Sequence, residues 1–170
     1  FFCISGFVFY WLYSGKISEH AFPTGKFVLL RFSRLYPLHL ATLLLVASAQ
    51  ALMMKVDGSY FITEYNDTRH FMLNLLFASS WGFEDGYSFN APAWSISVEI
   101  VLYAAFFIIC RLFGVRAILL VAITAASFLL VQVFDFPIVR GLSSFFLGGC
   151  IYLIYQYVIR LPRADAIIGF

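Results

Sequence analysis

Charge is what this sequence has least of. Lysine, arginine, aspartate and glutamate make up 12% of its 170 residues, where a soluble domain has about a quarter. With 62% apolar and 20% aromatic residues and a mean hydropathy of +0.90, a globule this small would leave far too much apolar surface in water. A soluble enzyme and a disordered chain are thereby excluded. Cysteine is scarce too. Cys3, Cys110 and Cys150 stand in apolar surroundings, without CxxC or Cys/His spacing. They read as small buried hydrophobes, and point to neither a disulfide-stapled secreted module nor a metal site. A net charge of +2 and a pI near 8.5 provide no extended basic face, so nucleic acid is not an expected partner. The chain opens on Phe1-Phe2 with neither Met nor a polar leader, which reads as an internal piece of a longer protein. What these absences leave is a membrane protein.

Charge-free runs divide the chain. Phe1 to Gly15, Leu35 to Met54, His70 to Phe83, Ala117 to Phe134 and Gly141 to Ile159 carry no Asp, Glu, Lys or Arg, and Trp94 to Cys110 carries only Glu99. A spanning helix needs about 17–25 mostly apolar residues. The expected fold is therefore an all-α polytopic bundle of about five spanning helices, with Phe71–Trp81 a short re-entrant or interfacial helix. If Phe71–Trp81 does not cross, Lys16, Lys26, Arg31, Arg34, Arg111, Arg116, Arg160 and Arg163 fall on one side. Lys55, Arg69 and Arg140 fall on the other, with most of the acids. The positive-inside rule makes the first side cytoplasmic. Ala47/Ala51, Ala122/Ala126 and Ser144/Gly148 are small residues four apart, a spacing that lets helices approach closely in lipid. No internal repeat suggests an inverted-repeat transporter.

Few residues are equipped for chemistry. Arg31 and Arg34, three apart, share a helix face. They could grip phosphates bidentately or simply anchor a helix end by snorkelling. Glu99 is the one acid inside a spanning run, and burying a carboxylate in hydrocarbon is costly enough to suggest function. Ser95, Glu99 and Tyr103 follow at four-residue steps on one face. Such a glutamate suits acid–base work or hydrogen bonding to a polar substrate, and equally a helix-to-helix hydrogen bond. Asn90, ahead of Pro92 and Trp94, could bind a sugar or satisfy backbone at a helix entry. His20 and His70 read as solvated, and His39 as an interfacial histidine with a backbone partner. A polytopic transporter with a buried carboxylate shares several of these features.

Taken in order, these segments resemble a known family. Phe1-Phe2-Cys3-Ile4-Ser5-Gly6-Phe7 is similar to the FFxxSGF segment of the acyltransferase-3 family of membrane acyltransferases. Arg31-Phe32-Ser33-Arg34-Leu35-Tyr36-Pro37 is similar to its RxxRxxP segment, and Asn90 to Glu99 with Tyr103 to its NxPxWSLxxE segment. Arg140 followed by Phe145-Phe146-Leu147-Gly148 suits the family's later helix. The resemblance implies one membrane-embedded acyltransferase domain, of which residues 1–170 are a part, truncated at both ends. It implies an inner-membrane (plasma-membrane) enzyme that moves an acyl group, often acetyl, from cytoplasmic acyl-CoA to hydroxyls of carbohydrates and cell-envelope glycans. Acyl-CoA is then a donor substrate, and no tightly bound cofactor or metal is implied. The bilayer, the donor and a hydroxyl acceptor are the partners. Arg31 and Arg34 become candidates for the CoA phosphates. Asn90, Trp94, Ser95 and Tyr103 become an acceptor-side polar site, with Glu99 a candidate catalytic residue. The family's catalytic histidine is expected upstream of Phe1, and none of the three histidines here takes its place.

Overall fold

A computed structural model of the chain describes residues 1–61 and 63–160. Six α-helices and one short 3₁₀ turn account for most of them: α1 (Phe2–Ser18), α2 (Thr24–Asp57), α3 (Thr68–Leu75), the 3₁₀ turn Ala91–Ala93, α4 (Trp94–Phe113), α5 (Ala117–Val131) and α6 (Pro137–Val158). No strand occurs among the described residues. The fold is all-α, and three helical stretches are long and apolar enough to cross a bilayer: Thr24–Asp57, Ala91–Phe113 and Pro137–Val158. The apolar helix α5 has 15 residues and α1 has 17, about 23 and 26 Å at 1.5 Å per residue. Both fall short of the three longer spans. Bulky side chains such as Leu38 (72% exposed), Ile118 (86%) and Leu129 (72%) point outward, as they do on a surface whose solvent is lipid. The protein is an integral membrane protein.

The chain forms two compact units, and α4 belongs to one through Tyr103 and to the other from Ala104. The described residues of one unit, 1–22 and 104–160, are built around α1 and α6. A Cβ added to Gly6 would collide with the Phe145 carbonyl, and one added to Gly148 with the Cys3 carbonyl. The two backbones are therefore in direct contact, the close approach that small residues permit in lipid. Of the small-residue pairs expected to pack helices, Gly148 of Ser144/Gly148 thus meets α1. Around this contact, Tyr10, Phe106, Phe145 and Phe146 are fully buried. Phe9 meets Phe106 edge-on at 5.4 Å between ring centroids, and Tyr10 meets Phe106 at 5.0 Å. Edge-to-face rings fill this core because the positive ring edge favours the negative face of its neighbour. On the other side of α6, Gly149 receives Tyr10 and the Leu120 methyl of α5.

The unit made of residues 23–103 contains α2, α3, the 3₁₀ turn and the first half of α4. Helix α2 starts at Thr24, eleven residues ahead of the charge-free run, because arginine and lysine are good helix formers and do not end a helix. Pro37 lies inside it, so the carbonyl one turn earlier receives no backbone N–H from that position. Helix α3 starts three residues earlier than Phe71 and ends at Leu75. At about 12 Å it cannot span a bilayer. Asp67 caps it, accepting from the His70 N–H at 2.8 Å and from His70 Nδ1 at 2.9 Å. The helix stops short of Trp81 because Phe77 turns the chain in the left-handed region, at φ +59°.

The stretch joining α2 to α4 lies along α2 and is held there by polar side chains. Gln50 clasps Phe61, accepting its N–H at 2.8 Å and donating to its carbonyl at 2.7 Å. His39 Nε2 meets the Asn74 carbonyl at 2.8 Å, and the Phe77 ring packs on His39 and Tyr36. From Gln50 to Tyr36 these contacts cover about 21 Å of α2, all within the run from Leu35 to Met54. The short helix expected over Phe71–Trp81 is therefore part of a segment that packs along the apolar run of α2.

Candidate functional site

In the unit of residues 23–103, Glu99 is 5% exposed, and the Tyr103 hydroxyl donates to its Oε1 at 2.9 Å. The four-residue spacing dictates this bond, since residues i and i+4 stack on one helix face. From α2, the Arg31 guanidinium lies 5.9 Å from the centre of the Tyr103 ring and 5.8 Å from that of Phe27. That placement gives a cation a favourable aromatic environment. Arg34, about one turn further along α2, is exposed. The structure thus brings together Arg31, Glu99 and Tyr103, of which the sequence had put Arg31 at a donor end and Tyr103 at an acceptor end.

Asn90, Trp94 and Ser95 occupy a second position, at the start of α4. Asn90 donates through Nδ2 to Thr42 Oγ1 at 2.9 Å, so its amide bridges to α2. Ser95 is half-buried, and Trp94 is exposed. Ser97, which the sequence reading passed over, is 1% exposed. Its Oγ accepts the Ser80 N–H and its carbonyl accepts from Trp81 Nε1, both at 3.1 Å. A pocket opens here, lined by Asn74, Ser88, Asn90 and Trp94 among others.

The histidines divide differently from the expectation. His20 is exposed, and His39 does have a backbone partner, but at 2% exposure it is buried. His70 is not solvated: it is 1% exposed. Its Nδ1 faces Asp67, and its Nε2 accepts the Asp85 N–H at 3.2 Å. Arg69 ties the same loop down through Asp85 at 2.6 Å. A polar connection read as solvated is instead folded back on itself, with the His70 ring buried between the exposed Asp67 and Asp85. His39 and Asn74 carried no local signal, since 35 residues separate them.

A family model described as an acyltransferase domain matches residues 1–170. The chain belongs to the acyltransferase-3 family. Neither the curated proteins nor the solved structures compared with it contain a match. Membership makes this chain acyltransferase sequence over its whole length. The segments that carried the resemblance are those that form the α1–α6 contact, the arginine end of α2 and the start of α4.

Proposed function

We propose that the protein is an acyl-CoA-dependent O-acyltransferase of the bacterial inner membrane. It moves an acyl group, acetyl in the simplest case, from cytoplasmic acyl-CoA to a hydroxyl of a carbohydrate or cell-envelope glycan. The observation that carries this reading is the buried Glu99–Tyr103 pair with Arg31 against the same tyrosine, and Arg34 exposed about one turn along α2. Cations at the charge-rich end of α2 suit the phosphates of CoA, since guanidinium forks bind them with charge-assisted hydrogen bonds. A carboxylate held next to them in an apolar setting suits the polar, proton-bearing part of an acyl transfer.

In the reaction, the acceptor oxygen attacks the thioester carbonyl and a C–O bond forms. The hydroxyl proton passes to a base, the C–S bond then breaks, and the base returns that proton to the departing sulfur, so that CoA leaves as the thiol. The family resemblance puts that base, a histidine, upstream of Phe1. Glu99 would orient or stabilise the groups around it. The test is release of CoA from labelled acyl-CoA by the full-length protein in membranes. Acceptor-dependent release with label appearing on the acceptor is expected. Passage of an acceptor across the membrane without CoA release would overturn the reading in favour of a transporter.

A further inference from the structure

Where α4 hands over to α5 the structure leaves a groove of about 550 Å³. It is lined by Phe113 at the end of α4, by Ala117, Ile118, Leu119 and Ala122 of α5, and by Arg116 in the turn that joins them. That volume falls in the range of about 300–1,000 Å³ typical of pockets for small organic ligands. The walls are apolar and turn outward, with Phe113 50% and Ile118 86% exposed. Ala122 and Ala126, a small-residue pair expected to pack helices, are both exposed. In a bilayer such a groove is filled by hydrocarbon or by protein, and two features favour a lipid of one charge.

The first is charge. Arg116 is exposed and has no hydrogen bond or ion pair among the described residues. The end of α1 adjoins the same turn, since a Cβ on Gly114 would lie 3.9 Å from that of Ser18. Lys16 in the last turn of α1 and Arg111 in the last turn of α4 therefore stand at this end too. Glu19 is the one acid there among the described residues of the unit. The positive-inside rule makes this end cytoplasmic, and anionic lipids give that leaflet its negative surface. The second feature is length. Helix α5, with 15 residues, covers about 23 Å, against about 30 Å of hydrocarbon. Around a short helix the bilayer thins, which draws the phosphate level toward the helix end, and that end is Arg116. We propose that the groove binds one anionic phospholipid of the cytoplasmic leaflet, with an acyl chain against Ile118 and Ala122 and the phosphate on the Arg116 guanidinium, whose fork suits it. A zwitterionic lipid offers the same chain and phosphate but brings its own ammonium, which competes with Arg116. The donor site proposed above draws on residues of the other unit, so this ligand is independent of it.

Native mass spectrometry of the full-length protein tests this. The probes are dioleoylphosphatidylglycerol and dioleoylphosphatidylcholine, which share their chains and differ in headgroup. One phosphatidylglycerol should be retained about tenfold more tightly than phosphatidylcholine, as a single charge-assisted contact allows. Arg116→Gln should abolish that preference, and Arg116→Lys should restore part of it. Lys16→Gln removes an equal charge from outside the groove and should leave the preference in place. Ala122→Phe fills the groove and should weaken both lipids severalfold; if it does not fold, Arg116→Gln decides. In nanodiscs of the two lipids, a nitroxide on Ile118→Cys should be reached by oxygen, which dissolves in hydrocarbon. Equal retention of the two lipids, or unchanged retention in Arg116→Gln or in folded Ala122→Phe, would overturn the site. So would an equal loss in Lys16→Gln, which would mean a diffuse attraction to the basic end. A nitroxide shielded by another segment of the protein or by a second copy would show that protein covers the groove, and would overturn it as well.

Discussion

Tyr103 and Glu99 meet through a single hydrogen bond across one helical turn, and the consequence for turnover can be measured directly. Glu99→Gln keeps the volume and most of the hydrogen bonding but removes the charge. In the full-length protein it should cut turnover tenfold or more with membrane insertion intact. Near-normal turnover would leave Glu99 a purely structural role. The arginines make a separate forecast. Each charge-assisted contact to an ionised phosphate contributes about 1.5–3 kcal/mol, so Arg34→Ala should weaken binding of an acyl-CoA analogue roughly ten- to a hundredfold. Arg34→Lys should recover only part of this, because lysine keeps the charge and loses the fork. Unchanged analogue affinity in the Arg31→Ala/Arg34→Ala double variant would end the donor-site proposal. At this scale the legible residues were those whose partners lie within one turn: Glu99 and Tyr103 follow from a spacing of four. The His39–Asn74 contact and the partners of Ser97 were not legible, because they join parts of the chain 16 or more residues apart and leave no periodic trace.

Between elements, the contact of α1 with α6 is the most sensitive to added atoms. Gly148 faces backbone of α1, so Gly148→Leu must push the helices apart rather than displace a flexible side chain. Its cost should reach or exceed the about 1–3 kcal/mol of an overpacked core, read as a lower thermal midpoint in detergent. An unchanged midpoint would contradict the close contact. Helix α3 makes a forecast in pH. Hydrogen bonds first from the His70 N–H and then from its ring hold the Asp67 carboxyl below the ordinary aspartate value of 3.8. A carboxylate whose folded pKa is lowered stabilises the fold above its unfolded pKa, and that contribution is lost as pH falls through the folded value. Amide protection in residues 68–75 should therefore hold from neutral pH down to about 4 and decline below it, and Asp67→Ala should lower the protection at neutral pH as well. Helix existence was readable from runs of uncharged residues. Helix ends were less so: α2 continues through Arg31 and Arg34, and α3 is cut short by a left-handed Phe77 that no turn residue announces.

For the whole molecule, the asymmetric placement of basic residues translates into sidedness. Single cysteines at Lys26 and Arg111 should react with impermeant reagents only from the cytoplasm, and cysteines at Asp67 and Asp135 only from the opposite side. Labelling of position 111 from outside while position 26 stays inside would mean that the segment around α3 crosses after all. Arg163, assigned by the same rule to the cytoplasm, lies outside the described residues. Five crossings were expected, and three helices have the length and composition for one without assistance. Apolar run length overstated α5: the last residues of the run, Gln132 to Phe134, lie beyond the helix in a turn. It is α6, not length, that gives α5 its place.

The segment along α2 also sets an order of events during biogenesis. Helices α2 and α4 are apolar enough to partition into lipid singly, whereas Asn66 and Asn74 of the stretch between them become tolerable there only once they engage Phe89 and Ser88. The polar stretch must therefore be threaded into place after its flanking helices are anchored, as a late step with its own kinetic barrier. A chain stalled before that step would be correctly oriented yet unfinished, presenting bare amides to the bilayer, and would be the species that cellular quality control recognises.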